Sequence, residues 1–130
     1  MTDARGVPLG ALLTAGQESE SKQFEAVMDT VRVTRRRRPD AVAGDKGYSA
    51  GRIRAWCARR GIEAVIPTRR DERRHSLDRR KYRRRNVVER CIGWLKCCRR
   101  IATRHEKLAT SFLAMVKLAM IQRCLRLLDP

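Results

Sequence analysis

Residues 41–66 read as strand, helix and strand, joined by short links. Ala41-Val42-Ala43 is a short apolar run that ends at Gly44-Asp45. Ser49 is placed to cap a helix running to about Arg60, with Ile53, Trp56 and Cys57 at inward spacing and Gly61 as the stop. Residues 62–66 form the next apolar run, closed by Pro67. Two strands joined through a helix predict a parallel pair with a right-handed crossover. Asp45 then lies at the carboxyl end of its strand, where open α/β sheets place ligands.

The second informative segment is YRRRNVVERCIGWLK, in which Tyr82, Arg85, Glu89 and Lys96 are spaced Y-x2-R-x3-E-x6-K. Read as one helix at about 100° per residue, Arg85, Glu89 and Lys96 share a face. Val87, Cys91, Trp94 and Cys98 take the opposite, greasy face. An acid between two cations suits a carboxylate that binds a metal while its neighbours grip phosphates. Each acid also has a plainer reading. Asp45, before Lys46-Gly47, fits a turn residue, and Glu89 fits an ordinary ion-pair network along a helix.

The charge balance narrows the partners. The chain has 130 residues, with 31 basic and 14 acidic side chains, a net charge of +17 and a pI of about 11.2. So large an excess points to a polyanion, most simply nucleic acid. The aromatic residues are few and mostly at core-like positions, which ranks a single-strand RNA binder low. Five cysteines without a C-x2-C pair, and two widely spaced histidines (His75, His105), predict reduced thiols in a cytoplasmic protein and argue against zinc. The apolar C-terminal stretch is broken by Lys117, Gln122, Arg123 and Arg126, so it predicts no membrane span.

Other segments are read more coarsely. Asp3 to Gly6 predicts a turn, with a strand over 7–14 after it and a helix over 18–33 carrying Phe24, Val27, Met28 and Val31 inward. Arg35 to Arg38 form a basic loop, either solvated or in contact with phosphates. Residues 68–85 form a charged loop leading into the glutamate helix. The last helix, 108–128, offers Phe112, Met115, Val116, Ala119, Met120 and Leu127 to the core, and Glu106 is expected to be exposed.

The Y-x2-R-x3-E-x6-K spacing resembles the glutamate motif of DDE transposases of the bacterial insertion-sequence-4 and insertion-sequence-5 type. GDKGYSAGRIRAW resembles that family's second-aspartate motif, with Asp45 in the catalytic position. DARGVPLGALLTAGQ resembles its hairpin, and RGIEAVIPTRR and RRIATRHEKLATSFLAMVKLAMI its downstream segments. The resemblance implies a ribonuclease H-like α/β fold, a mixed sheet flanked by helices. It implies a two-metal magnesium site, with Asp45 and Glu89 as two of three catalytic, metal-binding acids. It assigns Tyr82, Arg85 and Lys96 to DNA binding. The expected substrates are double-stranded DNA at terminal inverted repeats and at the target, and a homo-oligomer is the expected acting form. The family's first catalytic aspartate lies on a strand ahead of the hairpin, and Asp3 matches the turn aspartate instead. Residues 1–130 are therefore expected to be the C-terminal portion of the catalytic domain, N-terminally truncated. Strand cleavage and transfer would then require the missing N-terminal segment. The alternative is a catalytically inert remnant that binds DNA non-specifically.

Overall fold

The computed structural model describes residues 1–16, 18–31, 38–103 and 107–128. Arg35 to Arg37, His105 and Glu106 lie outside the described residues. The chain divides into two compact units: Gly16–Arg85, and Met1–Ala15 with Asn86–Pro130.

In the Gly16–Arg85 unit, a 3-10 turn over Glu20–Gln23 runs into α1 (Phe24–Thr30). The central motif is β1 (Ala41–Ala43), α2 (Gly51–Arg59) and β2 (Glu63–Val65). The strands pair in parallel, Ala41 with Glu63 and Ala43 with Val65, as the short links predict. Ile53, Trp56 and Cys57 of α2 are buried with Ile62, Val65 and Ile66, and Phe24, Met28 and Val31 complete the core. The Phe24 ring meets Trp56 edge-on, centroids 5.5 Å apart, a geometry the aromatic quadrupoles favour. On the outer side the Arg60 guanidinium lies 3.9 Å from the Trp56 ring centroid.

Helix α2 ends where the sequence predicts. Gly61 has φ 63°, its N–H donates to Ala58 O, and the Ile62 N–H donates to Cys57 O. These two bonds satisfy terminal carbonyls in the way left-handed glycine caps do. The start of α2 differs from expectation. Ala50 occupies the N-cap position without a side-chain bond, and Ser49 is buried and donates to Glu72 instead. After a long loop, Asp78 caps α3 (Arg79–Arg83) by accepting from Arg80 N and Lys81 N. Those N–H groups, Lys81's foremost, hold the Asp78 carboxyl below its ordinary range. Lys81 also donates to Glu63, tying α3 to β2.

In the other unit, residues 1–10 form a tight turn. Asp3 Oδ1 accepts from Arg5 N and Val7 N, each at 2.8 Å, and Thr2 bridges Pro8 in antiparallel fashion. Residues 7–14 form no regular strand. Pro8 has no N–H to give a ladder. Helix α4 (Asn86–Cys97) is followed by α5 (Arg99–Ala102) and α6 (Ala109–Leu128). Cys91, Val116 and Ala119 are buried. Leu127, expected inside, is exposed. No helix among the described residues is long and apolar enough to cross a membrane.

Candidate active site

Asp45 follows β1 by one residue, at the carboxyl end of the strand. Its backbone is extended, and it caps a 3-10 turn over Lys46–Tyr48. Its Oδ1 accepts from the Gly47 N–H at 2.8 Å, and its carbonyl accepts from Tyr48 N at 3.1 Å. A Cβ on residue 47 would sit 2.9 Å from Asp45 Oδ1, so any larger residue there would push the carboxylate off this position. The carboxylate is exposed and held in one orientation.

Neighbouring groups lock this turn further. Arg69 Nε donates to Lys46 O at 3.0 Å, and its Nη2 to Gly47 O at 3.5 Å. Ser49 Oγ donates to Glu72 Oε1 at 3.0 Å. Beside the turn, Tyr48 O–H donates to Glu20 Oε2 at 3.3 Å. Burial, with the Glu20 charge adding to it, pushes the Tyr48 phenol up to about 12. The roles of Ser49, Arg69 and Glu72 were not legible in the sequence. They join loops about twenty positions apart, and a charge-rich stretch gives no periodic signal.

Glu89 is exposed in the first turn of α4, and Lys96 is exposed in its last turn. Each charge sits at the helix end whose dipole favours it. Cys91, on the other face, is buried, and burial pushes its thiol up. The segment 82–96, read as one helix for its spacing, is broken, while the reading of 68–85 as a lead-in to the glutamate helix agrees with α4. Tyr82 belongs to α3, Arg85 lies in the break, and α4 starts at Asn86. Arg79 to Arg85 place like charges four residues apart, at Arg79/Arg83, Arg80/Arg84 and Lys81/Arg85. That arrangement destabilises a continuous helix. The break instead sets the Arg85 guanidinium 5.8 Å from the Tyr82 ring centroid.

Asp45, Tyr82 and Arg85 therefore belong to one unit, and Glu89 and Lys96 to the other. Carboxylate oxygens suit a hard cation such as magnesium, which takes one or two protein carboxylates and keeps waters or phosphate oxygens as other ligands. The donor chemistry of Asp45 and Glu89 fits that preference. Among the described residues, no group of three or more His, Cys, Asp or Glu side chains could hold a metal ion.

Comparison with known proteins gives a consistent answer. The family model described as "Transposase DDE domain" matches residues 1–122. The chain is 37% identical over 130 residues to the "Putative transposase for insertion sequence element IS402" of Burkholderia cepacia, covering 95% of this chain and 60% of that protein. It is 30% identical over 122 residues to the "Putative transposase for insertion sequence element IS6501" of Brucella ovis, covering 92% of this chain and 89% of that protein. The chain thus spans about 60% of the length of the Burkholderia relative. No solved structure matches it. With a family match over residues 1–122, the chain belongs to the DDE transposases of insertion sequences.

Proposed function

We propose that this chain contributes to DNA transposition, by metal-dependent cleavage and transfer of DNA strands at the ends of an insertion sequence. Asp45 and Glu89 are the proposed catalytic acids and would hold the divalent cation, magnesium by the hardness of their oxygens. When bound, such a cation activates an attacking hydroxyl and stabilises the leaving oxygen. Lys96 and Arg85 would neutralise backbone phosphates, and Tyr82 would contact DNA beside Arg85. A third acid would come from polypeptide joined to, or supplied with, this chain. The observation that carries this reading is the Asp45 turn. An exposed carboxylate is fixed at a strand's carboxyl end by the Gly47 N–H, within a segment matched by the DDE domain.

The test is a chimaera in which this chain replaces the matching part of the Burkholderia relative. Magnesium-dependent cleavage at element ends is then measured. Asp45→Ala and Glu89→Ala should each lower cleavage about a thousandfold, the loss of several kcal/mol of stabilisation. Cleavage that survives either substitution removes that acid from the catalytic set. A chimaera that binds DNA and cuts none would favour the non-catalytic binder.

A further inference from the structure

The sequence predicts no more than a charged loop over 68–85, yet the structure ties down residues 67–77. Arg54 Nη2 donates to Ile66 O at 2.8 Å and Pro67 O at 3.5 Å, fixing the start of the loop. Arg69 reaches back to the carbonyls of Lys46 and Gly47. Glu72 accepts from Ser49 Oγ, whose side chain is buried, and from Arg69 N. The His75 N–H donates to Thr68 Oγ1 at 3.2 Å, closing the loop on itself. Two of these ties fasten the loop to the Asp45 turn, one fastens its start to α2, and one closes it on itself.

The loop borders an open groove of about 440 Å³ whose lining combines Arg69, Arg70, Arg74 and His75 with apolar Pro67 and Leu77. Glu72 is committed to Ser49, and Arg69 to the turn carbonyls. Arg70, Arg73 and Arg74 are exposed and enter no ion pair among the described residues. A groove walled by guanidinium forks selects an anion with several oxygens. No Phe, Tyr or Trp lines it, so it lacks the large aromatic platforms on which single-strand binders stack successive bases.

We propose that this loop is a preorganised phosphate cradle. Arg70 and Arg74 grip the phosphodiester backbone of duplex DNA, and Ser49, Arg69 and Glu72 position them. The proposal rests on the nucleic-acid part of the reading above and is independent of any role of Asp45 in catalysis. Backbone contacts carry no base information, so the cradle strengthens binding to every sequence alike.

The experiment is fluorescence anisotropy with a labelled duplex of arbitrary sequence, titrated over about 50 to 200 mM salt. Arg70→Gln with Arg74→Gln should make the log–log salt slope shallower by about 1.8, two contacts at about 0.9 each. Lys22→Gln with Arg59→Gln removes the same charge from exposed positions of the same unit and should change the slope less. Glu72→Ala, which removes the acceptor of the Ser49 hydroxyl, discriminates most sharply. It adds one net positive charge, so a merely basic surface predicts tighter binding, whereas a held cradle predicts weaker binding. Ser49→Ala and Arg69→Lys break the same ties without changing net charge and should also weaken binding, so the test survives if one variant fails to fold. Equal slope changes for the two double variants overturn the proposal, as does tighter binding by Glu72→Ala. Absence of any duplex binding overturns the nucleic-acid reading along with the cradle. Binding through the cradle, together with a chimaera that cuts nothing, contradicts only the catalytic reading.

Discussion

The two units of this chain treat their apolar residues in opposite ways. Among the described residues, nine of the twelve buried hydrophobic residues are in Gly16–Arg85, while all nine exposed large hydrophobics are in Met1–Ala15 and Asn86–Pro130. The first unit closes a core because strand, helix and aromatic side chains converge on Ile53, Cys57 and Ile66. The second is helical, with a buried set of Cys91, Val116 and Ala119. Small side chains remove little area from water, at about 25 cal/mol per Å². Local packing therefore stabilises the unit bearing Asp45 more than the unit bearing Glu89.

The strongest test of that contrast is Ile53→Ala. Ile53 is fully buried, and its truncation should cost about 2–5 kcal/mol, read as a lowered urea midpoint. A cost under about 1 kcal/mol would mean that the α2 core is looser than it looks and would erase the difference. Gly61→Ala should cost about 1–2 kcal/mol, because the added Cβ meets the strain of the left-handed region at φ 63°. It also sits 3.4 Å from Arg38 Nη1. A neutral outcome would show that the α2 cap relaxes without loss.

These two positions also show what sequence makes legible. The crossover could be read from residues 41–66 because apolar runs, helical spacing and the stop at Gly61 agree. Asp45 at the strand end followed from that reading. The break at Arg84-Arg85 did not, because a helical wheel assigns faces and ignores repulsion between like charges four residues apart. Ser49 illustrates a further limit. Its type and place suit a helix cap, but Glu72 of a distant loop takes its hydroxyl. A local rule cannot foresee a partner 23 residues away. Nor does residue spacing show what Asp45 and Glu89 bind, which depends on groups outside either motif.

Titration and thiol chemistry probe the same contrast more gently. Tyr48 is raised to about 12 from 10.0, so the folded state holds the phenolic proton more tightly than the unfolded chain does. Its contribution to stability is complete below pH 10 and is lost as the pH rises through about 12. In a Tyr82→Phe background, phenolate absorbance should rise near the upper value, and Glu20→Gln should bring it down. A midpoint near 10 would place the phenol in water. Among the thiols, Cys97 should react first with a disulfide reagent, while Cys57 and Cys91 should be slow. Cys97 is exposed, whereas both others are buried and their pKa values are raised by desolvation. Prompt labelling of Cys57 would show that the better-packed unit opens easily.

The smallest expected effect is the most informative about the helical unit. Leu118, Ile121, Leu125 and Leu128 recur along α6 at spacings of three and four and are 55–79% exposed. On that geometry Leu125→Gln touches little and should shift stability by at most about 0.5 kcal/mol. It should also reduce binding of a hydrophobic dye, since exposed apolar patches attract such probes. The comparison turns on the sign and size of this one value. A cost above about 2 kcal/mol, near that of Ile53→Ala, would mean that the α6 face is covered in solution. The contrast between the units would then describe the isolated chain and not its working state. A negligible cost would mean that the helical unit keeps an apolar face in water. The difference in packing between the units bearing the two candidate acids would then be a property of the folded chain itself.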